Sequence, residues 1–184
     1  GLYVSNFLVR MDTDVSVLQY PQRTLVRSFM HDVIKYDKHP SGQNVTIAMM
    51  AYDGYNMQDA IILNQGSVDR GLGRSFYFRP YTVEEIRYQG GLVDEIGMPD
   101  KEVKGYRTEE SYKFLEDDGI VYPEAKINEE DVIIGKTSPP RFLGELEEFS
   151  IAANTRRESS VSVKLGEHGT VDFVILTENE EGNK

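Results

Sequence analysis

The chain has 184 residues, 39% of them hydrophobic and 28% charged, with no cysteine and a formal net charge of −11. That length suits one domain or two small ones. The missing cysteine excludes a disulfide framework and any thiolate nucleophile or ligand, and no apolar run approaches the ~20 residues of a membrane-spanning helix. The acidity is one-sided: residues 1–78 carry seven Lys/Arg and seven Asp without any Glu, whereas residues 79–184 carry 13 basic and 24 acidic side chains. A neutral part joined to an acidic part predicts two modules, 1–78 and 79–184, with different neighbours. A solvated acidic surface accounts for the second part equally well. The chain opens GLYVSNFLVRMDT, without Met and without a basic, apolar leader, and is expected to be a piece of something longer.

Residues 1–19 alternate loosely between apolar and polar, consistent with a strand or irregular packing. Pro21 forces YPQRTLV (residues 20–26) to be extended. Arg23 and Arg27 lie four positions apart there, so an extended chain puts them on one face. That makes them a candidate phosphate-facing pair, with plain solvent exposure as the alternative. His31 and His39 have no companion at metal-ligand spacing and read as structural. HPSGQN (residues 39–44) is a turn cluster. It leads into VTIAMMAY (residues 45–52), which reads as a strand, and AIILN (residues 60–64) reads as a second. Between them lies DGYNMQD (residues 53–59), where Asp-Gly is a strong turn signal. Apolar strands on both sides would hold this loop on a buried scaffold, the usual setting of a functional loop. An ordinary turn facing water has the same composition.

Ser67 to Arg70 forms a predicted helical turn, capped by Ser67 and ended by Gly71 and Gly73. SFYFR (residues 75–79) reads as a strand ended by Pro80. The GLGR string lacks the Gly-Lys-Ser/Thr ending of a phosphate loop. From Tyr81 the composition shifts towards Glu, Gly and short apolar runs. Glu116, Asp117 and Asp118 read as a solvated turn, because no further ligand stands at calcium-loop spacing. DVIIGK (residues 131–136) is a predicted buried strand. Residues 141–160 read as a mobile polar loop, with Arg156 and Arg157 as its basic cluster. SVSVKL (residues 160–165) and TVDFVIL (residues 170–176) alternate at period two around EHG and predict a hairpin. The closing ENEEGNK reads as a turn whose next strand has been cut off. Short strands, many turns and no long helix make the fold class mainly β with short helices.

Three function classes fit these features. One is a stand-alone magnesium-dependent phosphotransfer enzyme built on Asp53 and Asp59, which would need further carboxylates on the same face. Another is an acidic β-rich protein-interaction module without a catalytic role. The third comes from longer motifs. YDGYNMQDAIILN (residues 52–64) with SVDRGLGRSFYFR (residues 67–79) resembles the second-largest subunit of multisubunit DNA-dependent RNA polymerase, of the archaeal and eukaryotic kind. The family pattern is Gly-Tyr-Asn-x-Glu-Asp-(Ala/Ser)-(Ile/Val)-(Ile/Leu). MDT followed by YPQRTLV, with Thr24 where proline is usual, SGQNVTIAMMAY, LEDDGIVYPEAKINEEDVIIGKTSP (residues 115–139) and HGTVDFVILTENEEGNK (residues 168–184) match further patterns of that family, in order.

The resemblance implies a fragment, inactive alone, of a nucleotidyltransferase. Residues 1–78 would belong to the hybrid-binding region and form part of a double-psi β-barrel beside the active centre. Residues 79–184 would be the inserted β-rich wall, or flap in bacteria, which turns the RNA–DNA hybrid upstream. The later Gly-Asp-Lys…His-Gly-Gln-Lys-Gly segment of the family is not in this sequence. The resemblance carries over Asp59 as a carboxylate near the second Mg2+, the ion brought by the nucleotide. Gln58 stands at the family's Glu position, where it keeps a carbonyl oxygen and loses the charge. Implied partners are the largest subunit and other polymerase subunits, the DNA template and RNA–DNA hybrid, and an initiation factor of the transcription factor B type. The implied setting is cytoplasmic if archaeal-like and nuclear if eukaryotic.

Overall fold

A computed structural model describes residue 4, residues 6–140 and residues 156–184. The chain forms two compact units, Gly1–Pro80 and Tyr81–Lys184. The described elements are small antiparallel sheets and short helices, so the fold is mainly β. No helix among them is long and apolar enough to cross a membrane.

In the first unit, β1 (Val15–Leu18) pairs antiparallel with β2 (Ser75–Phe78), with Val15 opposite Phe78 and Leu18 opposite Ser75. Their β-branched and aromatic residues suit a pleated ladder. Helix α1 (Phe29–Val33) starts at Ser28, whose N–H donates to His31 Nδ1 at 3.2 Å. His31 also meets the Tyr36 ring edge-on at 4.9 Å, and His39 meets Phe7 at 5.4 Å, so both histidines have structural work. Helix α2 (Gln65–Asp69) is capped by Asn64, whose side chain accepts the Ser67 N–H at 3.0 Å. The cap therefore sits three residues before the expected Ser67, because an Asn side chain reaches the N3 amide as well as Ser does.

The two apolar runs around the central loop depart from expectation. Residues 45–52 and 60–64 are in no strand. Ile47 is 75% exposed, Met49 97% and Ile61 81%. A strand exists only as part of a ladder, and the described residues offer these runs neither a pairing edge nor a layer to pack on. Tyr36 is the one buried hydrophobic residue described in this unit. Polar stitching holds the unit instead. The Gln43 side chain donates to the carbonyls of Gln19 (3.1 Å) and Tyr20 (3.2 Å) and accepts from Gly73 N–H (3.0 Å).

The second unit has a conventional core: Val121, Ala125, Ile133 and Val163, with Phe114, Leu115 and Val171 packed around them. Its strands are β3 (Glu95–Ile96), β4 (Lys126–Ile127), β5 (Val132–Ile134), β6 (Lys136–Ser138), β7 (Arg157–Glu158), β8 (Val161–Ser162) and β9 (Gly169–Thr170). They pair as β3–β6–β7, β4–β9 and β5–β8, all antiparallel. The expected strand at residues 131–136 is present as β5, with Val132 fully buried. The expected hairpin is not. β8 pairs with β5 and β9 with β4, and Val163, just after β8, is buried in the core with Ile133 of β5. Residues 141–155 of the expected loop lie outside the described residues, and its last part forms β7.

Near the middle of this unit three glycines cross. Gly97 N–H donates to Gly135 O at 3.0 Å, and Gly135 N–H donates to Gly119 O at 2.7 Å. A Cβ on Gly119 would lie 2.3 Å from the Gly97 carbonyl carbon. The turn at 116–119 is thereby locked against the β5–β6 connection. Segments 84–87 and 179–184 are also tied together: Glu85 N–H donates to Lys184 O at 2.9 Å, and Arg87 Nε to Asn183 Oδ1 at 2.6 Å.

Candidate functional site

The loop at residues 50–60 is built from two consecutive tight turns. In the first, Tyr55 N–H donates to Tyr52 O at 2.9 Å, and the central residues Asp53 and Gly54 have φ of 46° and 77°. In the second, Ala60 N–H donates to Met57 O at 3.2 Å, and Gln58 and Asp59 have φ of 54° and 64°. Positive φ at both central positions marks the type I′ turn, which normally selects Gly, Asn or Asp. Asp-Gly suits the first turn. The second places a glutamine left-handed, which costs roughly 1 kcal/mol. Asp59 tolerates the conformation better.

Asn56 clamps the first turn. Its Oδ1 accepts Tyr52 N–H at 3.0 Å and its Nδ2 donates to Met50 O at 2.6 Å. Sequence reasoning did not single out Asn56. Its signal was an Asn four residues after an aromatic inside a turn, which many loops share. Local hydrogen bonds, not flanking strands, therefore fix the geometry of residues 58 and 59. Both side chains are exposed.

Among the described residues no group of three or more His, Asp or Glu side chains could hold a metal ion. The loop carboxylates Asp53 and Asp59 do not fit a self-contained magnesium site. Among the described residues the stand-alone phosphotransfer reading thus lacks the carboxylate cluster it needs.

Arg23 and Arg27 do share a face. Arg23 NH2 lies 2.7 Å and Arg27 NH1 2.6 Å from the same oxygen, Asp37 Oδ2. Arg27 also reaches Asp32 Oδ1 at 3.4 Å. Partial burial pushes the Asp37 carboxyl up, but hydrogen bonds and charge from Arg23, then Arg27, outweigh it and hold the carboxyl below its ordinary value. Asp37 lies 10 and 14 positions along the chain from its partners, so no local spacing pointed to it. Backbone 23 is placed by Asn44, whose Nδ2 donates to Arg23 O at 2.8 Å.

The expected basic cluster of the second unit is different in kind. Arg156 donates through Nε to Thr137 Oγ1 (2.8 Å) and through NH2 to Val93 O and Thr137 O (both 2.9 Å). It stitches the β3–β6–β7 sheet and is not a free cation awaiting a ligand. Asp94, fully buried, receives Lys136 Nζ at 2.9 Å. Burial pushes its carboxyl up, but hydrogen bonds from Ser138, Lys136 and Tyr88 and the Lys136 charge hold it below its ordinary value.

A family model described as RNA polymerase Rpb2, domain 6, matches residues 1–184. The DNA-directed RNA polymerase subunit Rpo2 of Saccharolobus solfataricus is 48% identical over 184 residues, covering 100% of this chain and 16% of that protein. The DNA-directed RNA polymerase II subunit RPB2 of Schizosaccharomyces pombe is 38% identical, covering 100% of this chain and 15% of that protein. The corresponding subunit 2 of Arabidopsis thaliana is 39% identical over 182 residues, 99% of this chain and 15% of that protein. The chain spans about one sixth of the length of the curated relatives it matches. With archaeal and eukaryotic relatives aligned along its whole length, it belongs to the Rpb2 family of RNA polymerase and corresponds to a part of the second-largest subunit.

Proposed function

We propose that this chain contributes to the active-centre cleft of a DNA-directed RNA polymerase, around the RNA–DNA hybrid, and has no activity alone. Its first unit is part of the hybrid-binding double-psi barrel. Its second unit is the wall that sends the hybrid upstream and docks a transcription factor B-type initiation factor. The largest subunit and the other subunits, template DNA and RNA–DNA hybrid are its partners, in the cytoplasm if archaeal and the nucleus if eukaryotic. The loop at residues 50–60 carries the reading. The Met57–Ala60 turn holds Gln58 and Asp59 in left-handed backbone on an exposed loop, directly after the turn that Asn56 clamps. Backbone strain kept in place by surrounding bonds is a pointer to function.

In this proposal Asp59 presents its carboxylate toward the nucleotide-borne magnesium, which enters as part of the substrate. Ligands outside this chain complete that ion's shell. Gln58 supplies an amide oxygen where a carboxylate would pull harder on a hard cation. Arg23 and Arg27 face nucleic-acid phosphate. In an assembled polymerase, Asp59→Ala slows nucleotide addition about 10- to 100-fold, the span seen when a partner of a bound metal is lost. It also raises the magnesium concentration needed for half-maximal rate. Unchanged magnesium dependence would remove Asp59 from the role.

The other reading, an acidic interaction module without a catalytic role, draws on the 13 basic against 24 acidic residues of the second part. It predicts that Asp59→Ala leaves nucleotide addition untouched while charge reversals in the second unit weaken factor binding.

A further inference from the structure

We propose that Asp37 is a built-in occupant of the Arg23–Arg27 pair, and that a backbone phosphate of a nucleic-acid strand displaces it. The inference deepens the proposed phosphate-facing role of the two arginines and rests on that reading. Two guanidiniums converge on one oxygen, Asp37 Oδ2, at 2.7 and 2.6 Å. Distances this short belong to charge-assisted bonds. Two forks closing on one anionic oxygen is also the arrangement that grips a phosphate, which arginine suits by its planar donor set.

The carboxylate fills this grip incompletely. Its second oxygen, Oδ1, is shielded from water and has no hydrogen-bond partner among the described residues. A shielded acceptor left unpaired is a cost. That cost lowers the work of pulling the carboxylate away. A phosphate brings more acceptor oxygens to the same donors and keeps its outward oxygens in water. The way in is open: the Arg23 and Arg27 side chains are 62% and 45% exposed, while Asp37 is 22% exposed behind them. Charge points the same way. Two arginines face one close carboxylate, with Asp32 farther off at 3.4 Å and itself exposed. Lys35 and Lys38 bracket Asp37 in sequence. Asp37 and Asp32 together balance the two arginines, so displacement of Asp37 leaves the pair with a net positive charge, in a chain that is acidic overall.

The test uses the full 184-residue chain and a short fluorescein-labelled RNA–DNA hybrid, followed by anisotropy from about 50 to 200 mM salt. Asp37→Asn keeps the shape and removes the competing charge. It is expected to tighten binding about three- to tenfold at the low-salt end and to steepen the salt slope by about one. Arg23→Gln with Arg27→Gln lowers affinity, and in the Asp37→Asn background abolishes the gain, which separates displaced competition from a general loosening of the fold. ATP in excess as competitor distinguishes the sources of phosphate: a strand-backbone site resists it, and complete displacement by ATP overturns the assignment to a strand. If the arginine variants bind as the parent does, the phosphate-facing reading itself fails. If they weaken binding while Asp37→Asn leaves it unchanged or weaker, only the competitor role of Asp37 fails.

Discussion

Adding one methyl group at Gly119 is the sharpest test of how the second unit is held. Gly119 has φ of +78°, and a Cβ there would meet the Gly97 backbone at 2.3, 2.5 and 2.7 Å. These neighbours are backbone atoms, so no side chain can swing aside. Moving Gly97 stretches its 3.0 Å bond to Gly135 O, and moving Gly119 stretches the 2.7 Å bond from Gly135 N–H. Three costs follow for Gly119→Ala. The left-handed backbone adds about 1 kcal/mol, overpacking about 1–3 kcal/mol, and one weakened buried hydrogen bond about 1 kcal/mol or more. Together they make about 3–5 kcal/mol, a large share of the 5–15 kcal/mol that holds a typical domain. The assay is urea unfolding of the full chain, followed by tyrosine fluorescence, since the sequence has no Trp. Gly166→Ala is the control. Its φ is +79°, yet nothing stands within 4 Å of its Cβ, so it bears the backbone cost alone. If the two substitutions destabilise equally, the steric crossing is not what locks this unit.

Asp94 predicts a pH effect. Its carboxyl is held below its ordinary value in the fold, so its stabilisation is fully present above the unfolded value, about 3.9. It is lost as pH falls through the lower, folded value. Asp94→Asn is expected to cost about 3–5 kcal/mol at neutral pH, by leaving Lys136 facing a neutral amide. The variant should also lose less stability than the parent between neutral pH and about pH 2. An equal acid loss in thermal melts would refute this. In the central loop, Gln58→Gly relieves the left-handed glutamine at some cost in chain entropy. The Ala60 amide should then exchange about two- to fivefold more slowly, whereas Gln58→Glu leaves it unchanged. Faster exchange in the glycine variant would mean that residue 58 is not strained.

What the residues settled unaided was local or came from family likeness. Asp53-Gly54 announced a turn because glycine takes positive φ freely, and β2 and β5 announced themselves by dense β-branched and aromatic residues. The structural histidines followed from missing ligand spacing, and the longer motifs pointed to the polymerase subunit that the relatives support. Such signals act over a few residues. Partner choice does not. Residues 160–176 have the alternation of a hairpin, yet β8 pairs with β5 and β9 with β4, because alternation names the buried face but not the strand across from it. Residues 45–52 read as a strand because the run is short, apolar and β-branched at its start, yet they have no ladder to join among those described. Arg156 read only as half of a basic cluster in a polar loop, whereas the fold sets it against Thr137 and Val93, and Asp37 carried no signal until the fold set it between Arg23 and Arg27. Backbone preference is written residue by residue, whereas pairing and charge neutralisation depend on groups far apart in the chain, which only the folded structure brings within a few ångströms of each other.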